Sequence, residues 1–186
     1  MAPLTILIAV GREDRDRVEG IADTVRKIVG DRESRVVVSH VLTESEYEDA
    51  IEALVPQVDT SREPMSAVRP ETSAAHSGSS GKSSTSTESQ ISPEAAVQRA
   101  VSQQTVVRDL VGALREVDIN PEILGRVGDP SQRIVAMTEE LDADFVVIGG
   151  RDRSPTTQAV FGSVSQEILR SAACPAISVR GGVDES

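Results

Sequence analysis

The sequence predicts a doubly wound α/β domain: a Rossmann-like sheet of five parallel strands with helices on both faces. Three observations lead there. Short continuous runs of Val, Ile and Leu alternate with segments whose apolar residues recur at three- and four-residue steps. The runs read as buried parallel strands and the periodic segments as crossover helices. Only 2% of the residues are aromatic against a hydrophobic share of 38%, so the core is aliphatic, with Phe145 and Phe161 its only phenyl rings. At 186 residues the chain suits one such layered domain.

The elements follow in order. Residues 4–10 form the first strand. Val18, Ile21, Ala22, Val25, Ile28 and Val29 then mark one face of a helix. Acidic residues at 13–16 crowd its start, complementing the positive end of the helix dipole, and read otherwise as a solvated face. Gly30 ends the helix. Residues 35–42 make the second strand and 44–54 a short acidic helix. Ser92-Pro93-Glu94 has the residues of an N-cap, a first helical proline and a first-turn acid. From there one long helix is expected to run to Val117, on an imperfect apolar stripe through Val97, Val101, Leu110 and Leu114. Strand three is 122–127. Asp129 caps and Pro130 opens the next helix, whose inner face is Ile134, Met137 and Leu141. Strand four is 144–148, the last helix 162–172 and strand five 176–179.

Between 56 and 92 the pattern collapses. Eleven serines fall in that stretch, with His76-Ser-Gly-Ser-Ser-Gly81 in the manner of a flexible linker. So polar a segment buries too little to offset its ordering entropy, and the expectation is a disordered insert within a single domain spanning 1–181.

Charge narrows the function. Thirty acidic residues against 19 basic ones give a formal charge of −11, which repels a phosphate backbone and argues against nucleic-acid partners. Only Lys27 and Lys82 are lysines. Acid-rich, lysine-poor composition resembles that of proteins from halophiles, where salt screens the carboxylates. The lone Cys174 permits no intrachain disulfide and reads as a small buried residue. The first ten residues lack a basic leader, and their apolar run is too short to span a bilayer, so the expectation is a cytoplasmic chain.

Open α/β sheets bind ligands at the carboxyl ends of their strands, near the point where the winding reverses. Here those ends are Ala9-Val10-Gly11 after strand one and Gly149-Gly150-Arg151 after strand four. The second continues through a loop to Gly162-Ser163-Val164. Glycines let a backbone approach a phosphate, and the helix opening at Ser163 offers free N–H groups. The Ser163 hydroxyl either donates to a phosphate or merely caps the helix. Arg151 and Arg153 add cations to an acidic chain. His40, at the end of strand two, has no acidic or nucleophilic neighbour in sequence and reads as structural. No Gly-x-Ser-x-Gly elbow surrounds Ser154 or Ser163, and Cys and His form no metal-binding pattern.

Taken together, these segments resemble a family. Gly149 and Gly162-Ser163 match the spacing Gly, two residues, Gly, nine residues, Gly-Ser/Thr that the universal stress proteins carry after strand four. Similar also are Ile6 to Val10, His40-Val41, Gly128-Asp129-Pro130, the run from Ala143 to Gly149, and the run from Cys174 to Val179. The resemblance implies an adenine nucleotide α-hydrolase-like fold and a small regulatory protein, not an enzyme. It implies ATP or a related nucleotide in the cleft between strands one and four. Val41 would line the adenine pocket, and Gly149, Gly162, Ser163 and Val164 would hold ribose and phosphates. It implies too a homodimer through the last strand, from Ala176 to Arg180. Two positions depart from the ATP-binding members: Gly11 stands where an adenine-contacting Asp is usual, and Asp152 replaces the second loop glycine. These departures define the alternative, a nucleotide-free dimer whose surface or insert binds a protein or transporter domain. A catalytic reading would need an acid–base pair in the cleft, and the sequence names none.

Overall fold

The computed structural model describes residues 3–54, 92–150 and 162–180. The insert expected at 56–92 lies outside them, apart from Ser92. Strand β1 (Leu4–Ala9) is the middle of a five-stranded sheet. Its partners are β2 (Ser34–Leu42) on one side and β4 (Phe145–Gly149) on the other. β3 (Glu122–Val127) pairs with β2 and β5 (Ala176–Val179) with β4, all in parallel. The order is β3-β2-β1-β4-β5, so the winding reverses between β1 and β4.

Burial on both faces explains the apolar runs. Ile6, Leu7 and Ile8 are fully buried in succession, but they serve different cores. Ile6 and Ile8 pack with α1 (Val18–Val29), α3 (Pro93–Gln103) and α4 (Thr105–Glu116). Leu7 and Ala9 point the other way, toward Ile134 and Met137 of α5 (Pro130–Glu140) and Ile168 of α6 (Ser163–Ser171). The strand's two-residue period thus sorts consecutive residues between two layers of helices. The remaining helix, α2 (Glu44–Leu54), sets Tyr47 and Ala50 against the first core.

The punctuation residues act as the sequence suggests. Gly30 takes φ +54° and its N–H closes on Arg26 O. Ser92 Oγ accepts from Ala95 N–H at 3.2 Å, and Asp129 Oδ1 accepts from Gln132 N–H at 2.9 Å, each followed by a proline.

The long helix expected from Pro93 to Val117 is two helices. Gln104 is extended, at φ −62° and ψ 130°, and divides α3 from α4. The physical reason lies in what each half covers. α3 packs on the edge strand β3, whereas α4 packs on α1 and β2 nearer the centre of the sheet. A straight helix would carry Gln104 and Arg108 around to its apolar side, and the break frees α4 to present Val107, Leu110 and Leu114 instead.

α3 sits very close to β3. A Cβ on Gly125 would lie 2.9 Å from Val101 Cγ2 and 3.0 Å from Val97 Cγ1. The side-chain amide of Gln98 completes the contact: its Oε1 accepts from Gly125 N–H at 2.9 Å and its Nε2 donates to Ile123 O. Gly125→Ala should lower stability by about 1–3 kcal/mol, because stiff β-branched side chains must move to admit the methyl. Denaturant titration reads this directly; an unchanged midpoint would mean that α3 sits less tightly on β3.

Candidate functional site

The reversal between β1 and β4 leaves a cavity of about 380 Å³ at the carboxyl ends of the strands. Ala9, Val10 and Gly11 bring the end of β1 to it, Val41 the end of β2, and Gly149 the end of β4. Gly162, Ser163 and Val164 approach from α6. Eight residues singled out in the sequence therefore converge on one space. The ninth, Arg151, lies outside the described residues, as do Asp152 and Arg153. Pro130 and Ile134 of α5 and Ile168 of α6 supply an apolar wall.

Among the described residues, nothing caps the tip of α6. Gly162 is the N-cap, with extended backbone and no side-chain cap. Ser163 is thus the first helical residue and not the cap. The first intrahelical bond runs from Gln166 N–H to Gly162 O at 2.9 Å. The N–H groups of Ser163, Val164 and Ser165 precede it, and the dipole makes this end of α6 positive.

The start of the first helical segment differs from expectation. Residues Arg12–Arg17 form a 3-10 turn before α1, and Asp14 faces inward instead of solvent. Its Oδ2 accepts from Gly11 N–H at 2.7 Å, and its Oδ1 is 3.5 Å from Arg17. The carboxylate lies directly over Gly149, where any Cβ would overlap it. Asp14 stands four residues before Val18 and seven before Ile21, so the helical period of α1, carried back, puts it on the buried side, where an acidic solvated face was expected. The signal available was the spacing itself: an acid three residues after Gly11 can cap that residue's N–H.

The opposite rim is a second local device. Thr43-Glu44-Ser45-Glu46 is a capping box at the start of α2. Glu46 Oε2 accepts from Thr43 N–H at 2.8 Å and from its hydroxyl at 3.0 Å, and Thr43 Oγ1 accepts from Glu46 N–H at 3.3 Å. Arg12 reaches Glu46 Oε1 at 3.1 Å. Burial raises the Glu46 carboxyl, but the two Thr43 hydrogen bonds, Arg12 and His40 outweigh it and hold the group below its ordinary 4.5. His40 is 4% exposed and lines the same cavity. Its Nδ1 is 2.7 Å from Val10 O, and its Nε2 is buried without a partner. Cys174 is half-buried away from the cavity, its thiol pushed up by burial and by the charge of Asp144.

A model of the universal stress protein family matches residues 4–180. The chain belongs to the universal stress protein family. Solved structures share the fold of this universal stress protein at low identity. The hypothetical protein MJ0577 aligns with a TM-score of 0.58 and 14% identity, covering 99% of this chain and 100% of that one. A universal stress protein from Archaeoglobus fulgidus, solved in complex with dAMP, aligns at 0.52 with 22% identity over 96% of this chain and 99% of its own. A universal stress protein in complex with cAMP aligns at 0.54 with 14% identity, over 98% and 100%. No curated protein matches the sequence. Among the described residues, no helix is long and apolar enough to cross a membrane.

Two predictions follow from the geometry of the site. Gly149→Ala should cost about 1–3 kcal/mol, because the methyl displaces the Asp14 carboxylate from Gly11. In an Asp14→Ala background the same change should cost much less, and a double-mutant cycle measures the difference; additive costs would mean that the two residues are not in contact. Glu46 titrates lower in the folded chain than its ordinary value, so it stabilises above that value and the contribution fades as pH falls through the folded pKa. Glu46→Gln should therefore narrow the gap in stability between neutral and acid pH, seen as a flatter thermal midpoint against pH.

Proposed function

We propose that this universal stress protein is a regulatory domain that binds ATP or a related adenine nucleotide in the cavity between β1 and β4. One observation carries the reading: a cavity at the reversal of winding has the N-terminus of α6, without a cap among the described residues, at one side and the ends of β1 and β2 at the other. The phosphates belong at Gly162 and Ser163, where amide N–H groups and the helix dipole favour an anion. Gly149, Ser163 and Val164 flank the ribose and phosphates, with Arg151 as a supporting cation. Ala9, Val10, Gly11 and Val41 enclose the base side. The complexes with dAMP and cAMP solved for related folds support the ligand class. Asp14, set over Gly149, adds negative charge beside this path and so favours a nucleotide with fewer phosphates.

The cavity supplies groups that bind, so the role we assign is a sensor and not a catalyst. The single domain spans 1–181 around the 56–92 insert, works in the cytoplasm, and has the acid excess of a protein adapted to high salt. It pairs with a second copy through the β5 edge, from Ala176 to Arg180. A second reading also has an observation in its favour. The Asp14 carboxylate occupies space beside Gly149, which suits a nucleotide-free dimer that binds a protein or transporter domain instead.

Equilibrium binding of labelled AMP and ATP to the full chain separates the two. Saturation is expected at or below millimolar ligand, with AMP tighter than ATP. Gly162→Asp should weaken binding at least tenfold, about 1.4 kcal/mol. It sets a carboxylate where the phosphate sits, yet keeps a good N-cap and hence the thermal midpoint. Absence of saturation by either nucleotide favours the second reading.

A further inference from the structure

We infer that Asp14 is a built-in competitor of the ligand: its carboxylate fills the point where β1 and β4 part, and a nucleotide enters the cavity by displacing it. This inference rests on the nucleotide reading above and adds the regulation of that same site. Asp14 lies on the 3-10 turn after β1 and lines the cavity, and 14% of its side chain is exposed, so an entering molecule can reach it. Its Oδ2 accepts from Gly11 N–H at 2.7 Å. Its Oδ1 stands over Gly149, where a Cβ would overlap it. One carboxylate therefore covers both strand ends. At β1 it takes a backbone donor, and at β4 it takes the close approach that a bare Cα permits. Those are the two things the strand ends offer a ligand that bears acceptors, and in the free chain they are already in use.

The hold is local, which makes it separable from the fold. The ladder between β1 and β2 reaches Val10 N–H on Ser39 O at 3.1 Å, one residue before Gly11. Rotation of the Asp14 side chain thus clears Gly149 and leaves the sheet intact. Arg17, on the same turn, lies 3.5 Å from Oδ1, farther than the roughly 2.8 Å of a strong charge-assisted hydrogen bond. A nucleotide carries phosphate, ribose and ring acceptors, any of which can take over Gly11 N–H once the carboxylate has left. Affinity is lowered by the fraction of molecules in which it has left. A hydrogen bond to a charged group holds that fraction to about one in ten. The cavity then loads only above a raised nucleotide concentration, which gives a sensor its threshold.

The test compares equilibrium binding of labelled AMP to the full chain and to its Asp14→Ala variant. Removing the carboxylate is expected to tighten binding about tenfold. Asp14→Asn keeps an acceptor for Gly11 N–H and fills the same space, so its affinity should stay close to that of the unmodified chain. A second readout needs no variant. The scalar coupling across the hydrogen bond, from Gly11 nitrogen to the Asp14 carboxyl carbon, should be present in the free chain and vanish at AMP saturation. A coupling that persists at saturation, or an Asp14→Ala chain that binds AMP no better than the unmodified one, overturns the inference. Weaker binding by Asp14→Ala overturns it as well, since the carboxylate would then hold the ligand instead of excluding it. If Asp14→Ala does not fold, the coupling in the unmodified chain decides. Failure of both chains to saturate with AMP removes the nucleotide reading and this inference together. Saturation of Asp14→Ala alone upholds both, and equal saturation of the two chains removes the competitor alone.

Discussion

The structure depends on the complete burial of β1. A strand with helices on both faces and a parallel partner at each edge has nowhere to expose a polar side chain, and Ile6, Leu7 and Ile8 meet that demand in succession. Because β1 is central, the chain must leave it first toward β2 and β3 and later return to its other side as β4 and β5. The crossovers on the two sides diverge above its end, and that divergence is the cavity. Position in the sheet, more than any one side chain, gathers Gly11, Val41, Gly149 and Gly162 around one space.

Asp14 shows how a local departure is absorbed. Where Gly11 offers no side chain, a carboxylate three residues on turns back to its N–H, and Gly149 gives it room. The absent Cβ at Gly149 therefore has a cause within the fold itself, apart from any ligand. The two requirements coincide at one residue, since a bare Cα serves a neighbouring carboxylate and an approaching ribose equally well.

Much of the fold was legible because buried parallel strands write themselves as uninterrupted Val/Ile/Leu runs, and caps such as Ser92-Pro93 and Asp129-Pro130 depend only on local chemistry. The α3–α4 break was not, because it answers to which strand each half covers, and a stripe spoiled by Gln104 and Arg108 resembles a poor helix as much as two good ones. Glycines at strand ends and at a helix start could be placed from spacing alone. So could the inward turn of Asp14, three residues after Gly11 and four before Val18. The buried ring of His40 could not, because it requires knowing that Val10 O lies across from β2.

The sheet's two edges are unlike. At β3 the amide of Gln98 already satisfies the outward groups of Ile123 and Gly125, and it imitates a neighbouring strand at that point. An approaching chain would therefore find two backbone groups of β3 already taken by a side chain of the same fold.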